Sequence, residues 1–416
     1  MGASLMTSSR MRRSAALILI GLSAMAAADD LTTEFGGHTK FRVVGQGYPD
    51  DSLFRDIVGP DSLDVGADLR LNLKLASGRW TFDTAYQLVG LQGDGLKLSG
   101  PPNDDRRLLD LTDIISEGSD SAILHRLDRL WLGYTSEKAV VRLGRQALSW
   151  GNGLAYAPMD LVNPFDPASI DTEYKAGDDM LYVQYLQDNG NDVQAAYVFR
   201  RDVVSGDAKA DEATAAIKYH GFAGEAEYDL LLARSYGDAV IGVGAGRDIG
   251  GAVWSSDLVV TDTDLDTYVQ FVSNVMYSWI WGGRNISGSL EYYFNGFGQS
   301  DGRYDPISLA MNPDLLVRLS RGELFTLGRH YFSANMMIEM SPLWILTPTV
   351  FMNVEDPSAL FQLVTTYSLS ENMTFLGSIN VPTGPSGTEF GGIESGLTGR
   401  YLSRGAGLFA QFAWYF

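Results

Sequence analysis

"SLDVGADLRLNLKLAS", residues 62–77, carries the pattern that decides the fold. Leu63, Val65, Ala67, Leu69, Leu71, Leu73 and Leu75 occupy every second position, with Asp64, Gly66, Asp68, Arg70, Asn72 and Lys74 between them. A period of two belongs to an extended strand whose side chains point alternately to two faces. One face is apolar and the other polar. The stretch by itself does not say whether the apolar face meets a protein core or acyl chains.

The alternation returns along the chain: "WTFDTAYQL" (80–88), "NDVQAAYVF" (191–199), "EAEYDLLLAR" (225–234), "TYVQFVSNVMYSWIW" (267–281), "NISGSLEYYF" (285–294), "HYFSANMMIEM" (330–340), "ALFQLVTTYSL" (359–369) and "GLFAQFAWYF" (407–416). Two segments, 106–117 and 314–324, have a helical rhythm and read as short loop helices. Connections alternate in length. Tight turns fall at 76–79, 135–138, 187–191, 220–224, 248–251, 281–285, 340–343 and 370–372. Long connections fall near 48–62, 91–122, 148–178, 296–328 and 382–404. Short turns at one end and long loops at the other are the organisation of a transmembrane β-barrel. The expected fold is an all-β, antiparallel up-and-down barrel of about 18 strands, with 16 as the alternative. Its long loops are extracellular and both termini lie on the short-turn side. The boundaries are least distinct over 239–262.

The N-terminus supports a membrane destination. Arg10, Arg12 and Arg13 precede an apolar run from Ala15 to Leu22, and small residues follow to Ala28. Positive charge, a short apolar run and an A-x-A site make a secretory signal peptide over 1–28, with the barrel over 29–416. Its removal takes three arginines and no acid, shifting the net charge from -20 to about -23. The run is too short to span a bilayer as a helix, and no later segment offers 18 consecutive apolar residues. The mean hydropathy of -0.04 suits a barrel, in which the two faces cancel. No cysteine is present, so disulfides and thiolate chemistry are excluded.

Tyr277, Trp279, Trp281, Trp414 and Tyr415 sit near strand ends, as in the aromatic girdles of membrane barrels. Phe416, the last residue, resembles the targeting signal of Gram-negative outer-membrane barrels, read by their barrel-assembly machinery. The cell outer membrane is the expected location and its lipid the expected surroundings.

The most unusual stretch runs from Val141 to Met180. It leaves a strand and breaks at two proline turns, "APMD" and "NPFDP". Trp150, Tyr156, Leu161 and Phe165 are costly to leave wet, so this loop is expected to fold into the lumen and narrow it. Between 148 and 179, Asp160, Asp166, Asp171, Glu173, Asp178 and Asp179 face Lys175 alone. Carboxylate rings favour cations. Arg129, Arg142 and Arg145 are candidates for an opposing basic wall. The expected pore-lining and constriction residues are Asp64, Asp68, Arg70, Lys74, Arg129, Arg142, Gln146, Trp150, Asp160, Asp166, Asp171 and Glu173.

"LGRQALSWGNG" (143–153) followed by "NPFDP" (163–167) resembles a G-R-Q…W-G…N-P pattern of several poorly characterised proteobacterial outer-membrane barrel families, and more loosely the alginate-export-type barrels. The resemblance covers about 25 residues and implies a monomeric outer-membrane channel. A polyuronate exporter would line its pore with many arginines, which the acidic excess here does not favour.

Other chemistry is thin. His38, His125, His220 and His330 are scattered without metal-ligand spacing. "GVGAG" (242–246) lacks the spacing and strand-turn-helix setting of a phosphate loop, and glycine in a strand makes room for a neighbour. Asp262, Asp264 and Asp266 have calcium-loop spacing without the glycine and distal glutamate of that motif. The expectation is a passive channel or porin for small polar solutes or ions, with the acidic loop favouring cations, and no cofactor, metal or nucleic-acid partner. The alternatives are an outer-membrane enzyme, a non-conducting structural barrel and a polysaccharide exporter.

Overall fold

The structure, a computed structural model, describes residues 31–416. The segment assigned to the signal peptide lies outside the described residues. The chain runs up and down through β1 (Thr32–Gly47), β2 (Asp61–Ser77), β3 (Trp80–Gly93), β4 (Thr112–Glu117), β5 (Ser121–Thr135), β6 (Ala139–Gln146), β7 (Asp178–Leu186) and β8 (Asp192–Val198). It continues through β9 (Thr214–Ala223), β10 (Ala226–Ser235), β11 (Asp238–Ile249), β12 (Ala252–Asp262), β13 (Thr267–Trp281) and β14 (Arg284–Asn295). β15 (His330–Ser341), β16 (Trp344–Asn353), β17 (Ser358–Ser370) and β18 (Met373–Thr383) follow. A small loop hairpin, β19 (Ile393–Glu394) and β20 (Tyr401–Leu402), precedes the last strand, β21 (Gly407–Tyr415). β21 pairs with β18 on one side and β1 on the other, which closes an antiparallel barrel of 18 strands. The alternative of 16 strands is excluded, and the uncertain region 239–262 holds two full strands.

The turns at one end have two to five residues, and the long connections all lie at the other. Closure through β21 leaves neither the first nor the last wall strand among the described residues with a free edge. The polarity is the reverse of a soluble protein. Phe35, Phe41, Leu63 and Leu232 are 59–66% exposed, while Arg70 is 3% exposed, Glu291 1% and Asp257 0%. Apolar faces therefore point outward and polar ones into the lumen. Trp80, Tyr185, Trp281, Trp344 and Trp414 lie exposed at the short-turn end, where an interfacial girdle belongs.

One expectation fails. Residues 106–117 form no helix; their second half is β4. β6 ends at Gln146 and its chain turns away from the wall, leaving the upper part of β5 without a neighbour. β4 pairs there, Thr112 opposite Arg126. Arg107 bridges onward to Arg200 beyond β8. Arg145, buried with Asp104 (2.8 Å) and Asp179 (3.0 Å), ties this insert to the ends of β6 and β7. Pairing with an open strand edge outweighed the helical rhythm. The helix expected over 314–324 forms at Pro313–Arg321, with Asn312 capping its start and Gly322 left-handed after its end.

Asp128 is an extra residue in β5: Arg129 pairs with Ala85 but Leu127 with Tyr86. The bulge lets two successive charged residues reach the lumen. Leu69, at the middle of β2, belongs to the outward face. Leu69→Arg is expected to cost about 2–4 kcal/mol, read as a lowered urea midpoint for unfolding from lipid vesicles. The isosteric Leu69→Met should change it little.

Candidate functional site

Residues 147–177 leave β6, cross the lumen and return to β7. Side chains of the wall hold this loop nearly all the way round. The Trp150 indole donates to Gln194 on β8 (2.7 Å). Asp257 on β12 accepts from the backbone N–H and side-chain amide of Asn152. Glu291 on β14 accepts three consecutive backbone N–H groups, those of Leu154, Ala155 and Tyr156, at 2.6–2.9 Å. A buried carboxylate with several donors is satisfied without a cation. Tyr156 stacks on Tyr293 with ring centres 4.7 Å apart. Gln362 on β17 reaches the Ala168 carbonyl, and Gln411 on β21 reaches Asp171.

The side of the lumen formed by β7–β12 is filled. Trp150, Met159 and Val162 pack against Met180, Tyr182, Val198, Leu231, Val240 and Val259. The lumen face of β11 is stripped to Gly242, Gly244 and Gly246, the "GVGAG" stretch. A Cβ on Gly244 would lie 2.6 Å from Asp257 and 2.7 Å from Asn152, and one on Gly242 would press on Met159. Gly242 and Gly244 thus seat the loop, while Gly246 makes room for Glu227 of β10. The acidic turn Asp262–Asp266 is capped by its own threonines, Thr263 and Thr267.

Two spaces stay open beside the loop: one between its residues 155–167 and β11–β14, edged by Arg318 and Glu323, the other between residues 171–176 and the wall of β1, β2, β3, β5 and β21. The second space is a cavity lined by Lys40, Arg42, Asp68, Arg70, Gln87 and Arg126, among others. Above it a recess lined by Val44, Leu91, Leu96 and Phe409 shares Arg42 and Gly66.

The expected site residues disperse. Asp68, Arg70 and Asp171 line the cavity, with Arg129 and Glu173 behind them, paired to Asp128 and Lys40. Arg70 pairs with Asp128 at 2.8 Å and lies over the Tyr174 ring. Arg129 grips Asp128 and the Lys175 carbonyl. Asp64 anchors the loop after β3 by accepting from the Gly95 N–H. Lys74 sits exposed at the short-turn rim with Glu34. Arg142 lies between Trp131 and Tyr182. Gln146 and Trp150 are buried in wall and loop contacts, away from the opening. Asp166 caps a turn at Ala168.

The acidic loop is also largely neutralised. Asp160 pairs with Lys175 inside the loop itself, and Asp171 and Glu173 both reach Lys40 at 2.7 Å. Six acids against one lysine, as counted along the sequence, misstates the charge facing the opening. Lys40, on the wall, is the missing counter-ion. Arg42 and Arg126 are the opposite case: neither forms an ion pair with a carboxylate among the described residues. Sequence reading missed Lys40, Arg42, Gln87 and Arg126. The signal was present in "HTKFRVV", where His38, Lys40 and Arg42 alternate, but glycine and threonine blur the apolar face of β1. The four histidines meet Asp68 (3.7 Å), Asp113, Asp229 and the Tyr292 hydroxyl.

No family model matches the chain, and no curated protein matches it. Among solved structures, OccAB4 and OccAB1 of Acinetobacter baumannii each superpose with a TM-score of 0.53. They are 9% and 11% identical over 93% and 94% of this chain and 99% of theirs. A Rh. blastica porin aligns over 92% of this chain and 100% of its own at 10% identity, with a TM-score of 0.46. The first two share the fold with this chain.

Burial pushes the Asp160 carboxyl up from its usual 3.8 to about 6, against the pull of Lys175. An acid that holds its proton more tightly when docked makes docking weaken as the pH rises from 3.8 through about 6. Lys175 already limits that loss, since its pull lowers the Asp160 pKa against burial. Lys175→Met should therefore loosen the loop at neutral pH by about 3–5 kcal/mol and let it re-dock on acidification. Trp150 fluorescence and protease cleavage within 147–177 across pH 4–8 would show this, and Lys175→Met with Asp160→Asn should remove the pH dependence.

Proposed function

We propose that this protein is a non-enzymatic outer-membrane channel through which small polar solutes diffuse passively, and that its constriction favours anions over cations. The observation that carries the reading is the pair Arg42 and Arg126, beside the opening left by the inner loop and without ion-pair partners. A pore lined by arginine or lysine attracts anions, and low-dielectric walls focus that field. The cation preference expected from the acidic loop is weakened for a physical reason: Lys175 offsets Asp160, and Lys40, shared by Asp171 and Glu173, offsets one of those two charges.

The outer-membrane location rests on the reversed polarity of the barrel, the short-turn girdle and the overall likeness to channel-forming barrels. Phe416 lies half exposed at the β1–β21 seam, its backbone paired with Gly37. Narrowing of the lumen by a docked loop argues against export of a bulky polysaccharide.

Planar-bilayer recording in a salt gradient tests the reading. The reversal potential should indicate anion preference. Arg42→Ser with Arg126→Ser should abolish or invert it while conductance persists. A wild type with no current at any voltage would overturn the channel, and a cation-selective one would overturn the charge argument.

A further inference from the structure

Once the ion pairs around the cavity are assigned, three charges are left, and they have both signs. Arg70 and Arg129 share Asp128, and Lys40 holds Asp171 and Glu173. The remainder is Arg42, Arg126 and Asp68. Their arrangement is specific. The Gln87 side-chain amide donates to one oxygen of Asp68, and its own oxygen accepts from Arg126 Nε at 2.6 Å. Carboxylate and guanidinium are thus held one primary amide apart. The second oxygen of Asp68 is buried without a hydrogen-bond partner. The nearest group, His38 Nε2, stays 3.7 Å away. His38 is itself 2% exposed, lines the same cavity and leaves Nδ1 unpartnered. Buried polar atoms are ordinarily paired, so such orphans need an explanation. Arg42 approaches from β1 across Gly66, where a Cβ would lie 2.7 Å from its Nε. Glycine at that position lets the guanidinium lie flat against β2.

We propose that this cavity is a recognition site for small zwitterions of the α-amino-acid class, read through a carboxylate and an ammonium group. The inference rests on the channel reading above and names the solute it suits. The solute's carboxylate takes the free N–H groups of Arg126 and Arg42. Its ammonium, one carbon away, meets the part of the Asp68 carboxylate that faces the cavity, the side chain being 21% exposed. A simple anion gains the arginines but meets Asp68 as a like charge. A neutral solute gains neither pairing. Both contacts are lateral and single-layered, which allows release as well as entry, as conduction requires.

Glycine and its neutral isomer glycolamide have the same atoms and nearly the same size, so they separate charge recognition from sieving. With the full chain in lipid vesicles, swelling in glycine should run at least about threefold faster than in glycolamide. Asp68→Asn should bring the two rates together while leaving the anion-sided reversal potential in place. Gln87→Leu keeps all three charges, removes the amide that spaces them, and should also lower the glycine advantage. Equal wild-type rates, or an advantage that survives both substitutions, overturn the zwitterion site while the channel stands. Absence of both swelling and ion current overturns the channel reading and this one with it.

Discussion

A backbone surrounded by hydrocarbon has no water to bond, so every N–H and C=O in the wall must find its partner within the wall. The seam between β21 and β1 meets that requirement for the first and last strands, since it joins the two raw edges of the sheet into a cylinder. The rest follows from closure. The outer face is free to be apolar, and the inner face must take the polar half of each strand. Charges that a soluble protein would leave on its surface are gathered into a narrow, partly desolvated space. Where β6 leaves the wall, the same requirement draws in β4 to pair with β5, against the helical rhythm of its own sequence.

The inner loop narrows this cylinder. An apolar loop in a water-filled lumen has a reason to collapse against the wall, and the apolar lumen faces of β7–β12 give it a surface. Direction comes from polar contacts. Asp257 and Glu291 present carboxylates to backbone N–H groups that the irregular loop cannot satisfy for itself. Glycines on β11 provide the depth. Because the β7–β12 side is packed, the side chains of β1, β2, β3 and β5 set the chemistry of the cavity left beside loop residues 171–176.

Charge counted along a sequence and charge facing a solute are different quantities. The loop has a large acidic excess on paper, yet Lys175 from the loop and Lys40 from the wall hold three of its carboxylates. Basic residues fewer in number, Arg42 and Arg126, are left without ion-pair partners. At a constriction, the unpaired remainder acts on a passing ion more than the total does, since paired charges largely cancel beyond a few ångströms.

The period-two pattern of "SLDVGADLRLNLKLAS" and its repeats, with the rhythm of short and long connections, determined the barrel, its strand number to within two and the placement of its loops. Those are local properties, set by which side chains alternate and which turns can be tight. The aromatics of 150–165 also made an inward loop legible, because their exposure to water is costly. The site was legible only as a list of lumen-facing candidates. Asp68 and Arg70 reached the opening, whereas Gln146, Trp150 and Asp160 are spent on packing or pairing. Nothing local tells Lys40 that it will meet Asp171, or that a bulge at Asp128 will turn two charges inward. Contacts between strands and a loop more than a hundred residues apart decided which charges are cancelled and which still face the pore.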